Sequence, residues 1–296
     1  MTPEPTVAPD LLDRFDISSL TAGAARLRPD RLAMISRRNG AEDRIDFAEL
    51  DRRASALAQA FLDLSAKPGE CILVAAGASA PCAIAIIAAL RAGLDVALAP
   101  LHATAGELGA LARDTKAVLL AAEAAYGAAS PVDALLSVAA IAPDVRLVCC
   151  LGIDDIDGAV PLDPVCMHLD DDIRFDTQGR KARLMTLDPN GLIHAHRQRT
   201  LLAAALDLAT RARIGSTQTI VSTLAPASFA GLVAGPVLGL LTGAPLALHG
   251  PFEAESCSSE RSTLTGRCIS SRRAPSRWRW KMLACCMADI SRRWWR

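Results

Sequence analysis

The chain has 296 residues, is 51% hydrophobic, and balances 32 Lys+Arg against 32 Asp+Glu. That is enough chain for one large or two modest domains with a proper core. Nine cysteines without a Cys-x-x-Cys pair argue against a disulfide or zinc framework, so Cys71, Cys82, Cys149, Cys150 and Cys166, mostly in apolar runs, read as reduced core thiols. The start, Met1–Asp16, has neither a basic n-region nor an apolar h-region, which excludes a signal peptide and makes the cytoplasm the default location.

In chain order, the first strong pattern is a helix over 47–64, whose apolar Leu50, Ala54, Leu57, Ala58 and Phe61 fall on one face. Lys67-Pro68-Gly69-Glu70 is a turn into a strand over 71–75. Helical spacing follows at 80–91, 104–115, 131–141, 199–211 and 229–241. Apolar runs of strand length lie at 95–99, 117–121, 145–151, 183–187, 219–224 and 245–248. Continuous apolar strands linked by helices define an α/β fold, a parallel sheet flanked by helices on both faces. The polar, aspartate-rich stretch 152–181 reads as a loop or a divider between lobes. Asp154, Asp155, Asp157 and Asp170 to Asp172 read as solvated loop charges rather than a magnesium site.

Residues 214–251 contain no Asp, Glu, Lys or Arg, and Gly231, Gly235, Gly239 and Gly243 recur every four positions. That spacing suits helices packed in lipid, but Pro226, Pro236 and Pro245 interrupt the run. A buried strand–helix–strand unit accounts for the same residues, so no stable membrane insertion is expected.

The order of segments resembles the AMP-forming acyl-CoA synthetase, or adenylate-forming, superfamily. The resemblance rests on Arg28-Pro29-Asp30-Arg31-Leu32-Ala33, Ile45-Asp46-Phe47-Ala48-Glu49-Leu50, Lys67-Pro68-Gly69-Glu70 and Ala89-Leu90-Arg91-Ala92-Gly93 in sequence. It runs from about Ala24 to Glu255. It implies the front part of the adenylate-forming large domain, ATP with Mg and coenzyme A as cosubstrates, and a fatty or aryl carboxylic acid as the acid activated. It also implies a reaction in which ATP converts that carboxylate to an acyl-adenylate and then to a thioester.

The resemblance places a phosphate loop at Leu184–Arg197, with Thr186, Asn190, Gly191 and His196 as nucleotide-binding positions. Such a loop works through backbone N–H groups, hydroxyls and a lysine that all face phosphate oxygens. Here Asn190 stands where the lysine is expected, the Ser/Thr/Gly run is absent, and Asp188 adds a negative charge. Those departures argue against ATP binding. The next element implies a substrate pocket at Ser228, Phe229 and Gly231, although a core role is the reading these residues favour. His194 and His196 alternate onto one face of a strand and, lacking a third ligand, read as exposed or capping residues rather than a metal site. Ser79 and Ser130 sit at helix starts and read as N-caps, and no Gly-x-Ser-x-Gly sequence supports a hydrolase.

After Ser256 the character of the chain changes. Residues 257–296 hold all four Trp, four of nine Cys and ten of 32 Lys+Arg, with only Glu260 and Asp289 as acids. Arg272–Trp280 interleaves cations with rings, as a single-strand nucleic-acid arm would. A shifted reading frame accounts for more: in a GC-rich gene, Leu and Ala codons read one base late yield Trp, Cys and Arg. No nucleic-acid partner is therefore expected. The expected organisation is an extension over 1–23, a partial adenylate-forming domain over 24–256 with a divider near 152–182, and an aberrant basic tail over 257–296. The expected function is an incomplete, inactive ligase, with no catalytic residue assigned. The alternative is a non-catalytic acyl- or aryl-binding module; a membrane-associated or nucleic-acid-binding protein ranks behind both.

Overall fold

The structure, a computed structural model, describes residues 15–38, 41–124, 131–152, 157–167, 175, 182–188 and 190–249. The basic tail, Asp170 to Asp172, Asp154, Asp155 and Ser130 lie outside the described residues.

The elements run α1 (Ile17–Leu27), β1 (Leu32–Arg38), β2 (Ala41–Asp46), α2 (Phe47–Asp63), β3 (Cys71–Ala76), α3 (Ala80–Arg91), β4 (Asp95–Pro100), α4 (Ala105–Thr115) and β5 (Ala117–Glu123). They continue with α5 (Val132–Ile141), β6 (Leu147–Leu151), β7 (Val160–Leu162), β8 (Arg183–Leu187), β9 (Ile193–Arg197) and α6 (Gln198–Ala212). Then come β10 (Ile220–Ser222), α7 (Phe229–Leu232), a π-helical segment (Val233–Val237), α8 (Leu238–Thr242) and β11 (Leu246–Leu248).

The larger sheet has the order β7-β6-β5-β3-β4-β8-β9 and is parallel except at β8–β9. Its central strands are apolar throughout because both faces are covered. In β3, Ile72 and Val74 join the core beneath α2 and α3, while Cys71, Leu73 and Ala75 join the one beneath α4 and α5. Each fully buried Leu, Ile or Val side chain here contributes roughly 1.5–3 kcal/mol. The chain winds from β3 out to β4, crosses back over β3 to β5, and continues outward to β6 and β7. The order therefore reverses beside β3 and β5, where doubly wound sheets leave a crevice at the carboxyl ends of their strands.

One parallel sheet is expected from sequence, but the strands divide between two. Strands β10 and β11 leave the main sheet and join β1 and β2 in the order β10-β11-β1-β2. The reason is a long-range pairing, Met34 with Leu246 and Ile35 with Ala247, that no local pattern signals. Polar β2 carries its own turn into α2: the Asp46 carboxylate accepts the Glu49 N–H at 2.8 Å. Part of the expected divider is also structured, since β7 pairs with β6 at the sheet edge. Helix α1 straddles residue 23, with Ile17 and Thr21 buried against the core.

The single helix expected over 229–241 is broken. Pro236 has no N–H to donate, and Gly235 takes a non-helical conformation (φ −104°, ψ −106°) that opens the π-helical segment. Among the described residues no helix is long and apolar enough to cross a membrane.

The sequence motifs of the front half are structural ties. Gly93, at φ +74°, accepts the Gly69 N–H on its carbonyl at 2.8 Å, which brings the Lys67–Glu70 turn onto the Arg91-Ala92-Gly93 turn. Glu49 bonds both Arg52 and Arg53, each at 2.7 Å, and Arg53 reaches back to Asp43 on β2 at 2.7 Å. The Arg52 hydrogen bond, with Arg53 beside it, outweighs burial and holds the Glu49 carboxyl down at about 2. Arg91, almost fully buried, binds Ser18, Asp51 and Ser55, and so locks α1 and α2 onto α3.

Candidate functional site

Strands β8 and β9 form an antiparallel hairpin at the sheet edge, with Thr186 opposite His194 and Leu184 opposite His196. Gly191, at φ +80°, turns the chain back, with its N–H on the Asp188 carbonyl at 3.0 Å. The Asp188 carboxylate fills the turn. Its Oδ1 accepts the N–H groups of Asn190 at 2.8 Å and Leu192 at 2.9 Å, and its Oδ2 lies 3.3 Å from His194 Nε2. The Leu192 N–H, with His194 and the Asn190 N–H, keeps the Asp188 carboxyl below the usual carboxylate range.

Two residues further on, His196 turns to the same face as His194 and bonds the buried Thr186 Oγ1 at 2.8 Å. Its ring packs on Phe229 of α7, 5.0 Å between centroids at 54°. Burial, with His194 nearby, lowers the His196 pKa to about 4, so the imidazole is neutral near pH 7. Thr186, His196 and Phe229 are thus brought together from β8, β9 and α7. The Thr186–His196 pair has the make-up of a nucleophile and base, but Thr186 is only 1% exposed and meets no substrate directly.

The His196 shift carries a pH prediction. The folded state disfavours the imidazolium, so the unfolded chain binds that proton first. The stabilisation is complete above about 6.5 and is lost as the pH falls towards about 4. Denaturant midpoints measured between those pH values should fall less steeply for His196→Asn than for the unaltered chain; parallel slopes would contradict the assignment.

The other expected site residues sit in tight turns. Asn190 and Gly191 are exposed in the β8–β9 turn. The Ser228 hydroxyl accepts the Gly231 N–H at 3.1 Å and faces the Ala225 carbonyl at 3.2 Å, which caps α7. Gly231 lies so close to Ala225 that a Cβ there would stand 2.0 Å from the carbonyl oxygen. His194 and His196 are engaged with Asp188 and Thr186. Among the described residues no group of three His, Cys, Asp or Glu is placed to hold a metal ion.

Sequence patterns missed two positioning groups. Gln198 is buried at the β9–α6 junction, where its Oε1 accepts the Ile17 N–H at 2.9 Å and its Nε2 donates to Ala182 at 3.0 Å. A buried amide at the first position of a helix was its only signal. At the reversal of strand order, Ser79 caps α3 as expected and also donates to Glu123 at the end of β5. Cys82 Sγ lies 3.3 Å from the same carboxylate, and burial, ahead of that charge, pushes its thiol pKa well up. That thiol is not poised as a nucleophile.

The family model described as "AMP-binding enzyme" matches residues 22–172, just over half of the 296-residue chain. The chain therefore belongs to the AMP-binding enzyme family. The match ends before Thr186. No curated protein sequence matches.

Among solved structures the chain is similar to a Rhodopseudomonas palustris CGA009 protein provisionally assigned as a long-chain-fatty-acid CoA ligase. That pairing has a TM-score of 0.70, 17% identity, and coverage of 84% of this chain and 61% of the other. It is equally similar to the anthranilate CoA ligase AuaEII solved with anthranoyl-AMP, at TM-score 0.70, 14% identity, and coverage of 85% and 47%. The Klebsiella oxytoca NpsA N-terminal subdomain, in complex with 3-hydroxyanthranilyl-AMSN, gives 0.60, 13%, and 84% and 57%. These likenesses establish the adenylate-forming fold. The chain spans roughly half to three-fifths of the length of these neighbours.

Proposed function

We propose that this chain is an adenylate-forming ligase-like protein that does not carry out carboxylate adenylation. The observation that carries this reading is the β8–β9 turn. Where the sequence resemblance implies a phosphate-binding loop, the N–H groups of Asn190 and Leu192 already serve the Asp188 carboxylate. Thr186 Oγ1 is already bonded to His196, and Asn190 stands in place of a lysine. These residues do not fit a triphosphate: donors that would face phosphate oxygens are used, and the charge presented is negative. No step through ATP, Mg or coenzyme A is derived from them.

A second reading has its own support. Phe229 is 6% exposed in the core and packs its ring on the neutral His196, and this pair, once opened, would offer a surface that suits a fatty or aryl acid, so the chain could serve as a non-catalytic acyl- or aryl-binding module. Ser228, Phe229 and Gly231 are the acid-side positions this reading assigns; the nucleotide-side positions that the resemblance implies, Thr186, Asn190, Gly191 and His196, have no nucleotide-binding part in it. Saturable binding of long-chain or aryl carboxylic acids in the absence of ATP, weakened by Phe229→Ala, would support it.

The tail belongs to the same proposal. Its excess of Trp, Cys and Arg over 257–296 supports a shifted reading frame, and the unit we assign to the family fold is 24–256. Translating the encoding DNA in the other two frames beyond codon 256 tests this; the proposal fails if neither frame yields an adenylate-forming continuation.

A further inference from the structure

We infer that the β8–β9 turn is a preformed oxyanion nest plugged by the chain's own Asp188 carboxylate. The inference rests on the reading that the turn does not bind a nucleotide phosphate, and adds the reason: the cradle persists, and one side chain fills it.

Three donors converge on that carboxylate from three residues. Asn190 and Leu192 aim backbone N–H groups at Oδ1, at 2.8 and 2.9 Å, and His194 Nε2 approaches Oδ2 at 3.3 Å. The two N–H groups are alternate residues, with the Gly191 N–H between them turned to the Asp188 carbonyl, and backbone N–H groups that converge on one acceptor in this way form a concavity suited to an anion. The turn's outline does not depend on the carboxylate alone. The Asp188 N–H meets the Leu192 carbonyl at 3.0 Å, the Gly191 N–H meets the Asp188 carbonyl at 3.0 Å, and the β8–β9 ladder closes the hairpin behind them.

The rim of the turn is open to solvent, although the Asp188 side chain itself is only 10% exposed. Leu192 is 61% exposed, and a Cβ built on Gly191 would meet no heavy atom within 4 Å. An oxyanion of phosphate type could therefore reach the donors if the carboxylate were absent. The low Asp188 pKa agrees with donors arranged to favour a negative charge.

Removing the carboxylate and removing only its charge have different consequences. Asp188→Ala frees both backbone N–H groups. Asp188→Asn removes the charge but leaves an amide oxygen of the same reach to accept them. Inorganic pyrophosphate, titrated into the full chain and followed through the backbone amide resonances of Asn190 and Leu192, tests the distinction. Pyrophosphate should bind Asp188→Ala at least about tenfold tighter than the unaltered chain, with those two amides shifting most. The Asp188→Asn chain should remain within a few-fold of the unaltered one.

Equal gains in the two variants would overturn the inference, because repulsion rather than occupancy would then be the block. A folded Asp188→Ala chain without a gain would overturn it as well. Asp188→Gly is the second variant. If neither it nor Asp188→Ala folds, the turn needs its carboxylate to form and is not a preformed nest. An unaltered chain that adenylates acids would instead defeat the proposed function, a separate outcome seen in a separate assay.

Discussion

Replacing Gly231 with alanine is expected to destabilise the fold by about 3 kcal/mol or more. The added Cβ would stand 2.0 Å from the Ala225 carbonyl oxygen and 2.7 Å from its carbon, and these are backbone atoms that cannot swing aside. The Gly231 N–H also caps onto Ser228, so movement away from Ala225 breaks the α7 cap. Phe229 starts that helix and carries the contact with His196, so strain at Gly231 passes into the candidate site. Gly23, within α1, has no heavy atom within 4 Å of an added Cβ. Its replacement by alanine should raise stability by roughly 0.5–1 kcal/mol. Denaturant midpoints at unchanged m-value measure both. A Gly231→Ala loss below about 1 kcal/mol would mean that the Ala225–Gly231 turn relaxes freely and imposes nothing on the site.

Arg91→Met is expected to cost about 2–4 kcal/mol. The guanidinium donates to Ser18 Oγ at 3.1 Å, to the Asp51 carbonyl at 2.9 Å, to Asp51 Oδ1 at 2.6 Å, and to Ser55 Oγ. Its side chain is 5% exposed and that of Asp51 is 30% exposed. Methionine matches much of the apolar stem but leaves two buried hydroxyls and a carboxylate without their donor. Arg91→Lys should recover only part of the loss, since one ammonium cannot span acceptors on two different helices as the planar fork does. Full recovery by lysine would show that charge alone, not the fork, ties α1 and α2 to α3. The Arg in the Leu-Arg-Ala-Gly segment, a mark of family resemblance, is on this account a structural tie.

The central strands of the larger sheet were legible because they are buried on both faces, and α3 and α4 because side chains cap their starts. The segments 80–91 and 183–187 match α3 and β8 at both ends, and 71–75 falls one residue short of β3. What stayed hidden depends on distant partners. Strand β2, Ala41–Asp46, is mostly charged and gains its place only by pairing with β1. The smaller sheet exists because Met34 meets Leu246, a contact without local periodicity. Pro236 was read as interrupting the uncharged run and Gly235 as one of its spaced glycines, while 229–241 was still taken as one helix, so the π-helical segment was not foreseen.

At the candidate site, the family resemblance implied a lysine where Asn190 stands and marked Asp188 as an added negative charge. That the Asp188 carboxylate would take the turn's own N–H groups is a matter of distances of 2.8 and 2.9 Å, which a one-dimensional reading cannot supply. The meeting of Thr186, His196 and Phe229 likewise needs β8, β9 and α7 to be packed first.

The most direct test of the central claim is pyrophosphate exchange into ATP by the purified chain, with Mg and a panel of fatty and aryl carboxylic acids. The reaction reads adenylate formation alone and needs no thiol acceptor. The account predicts no acid-dependent exchange above a boiled control for any member of the panel. Exchange that depends on one acid, saturates with ATP and disappears in a Thr186 or His196 variant would contradict it.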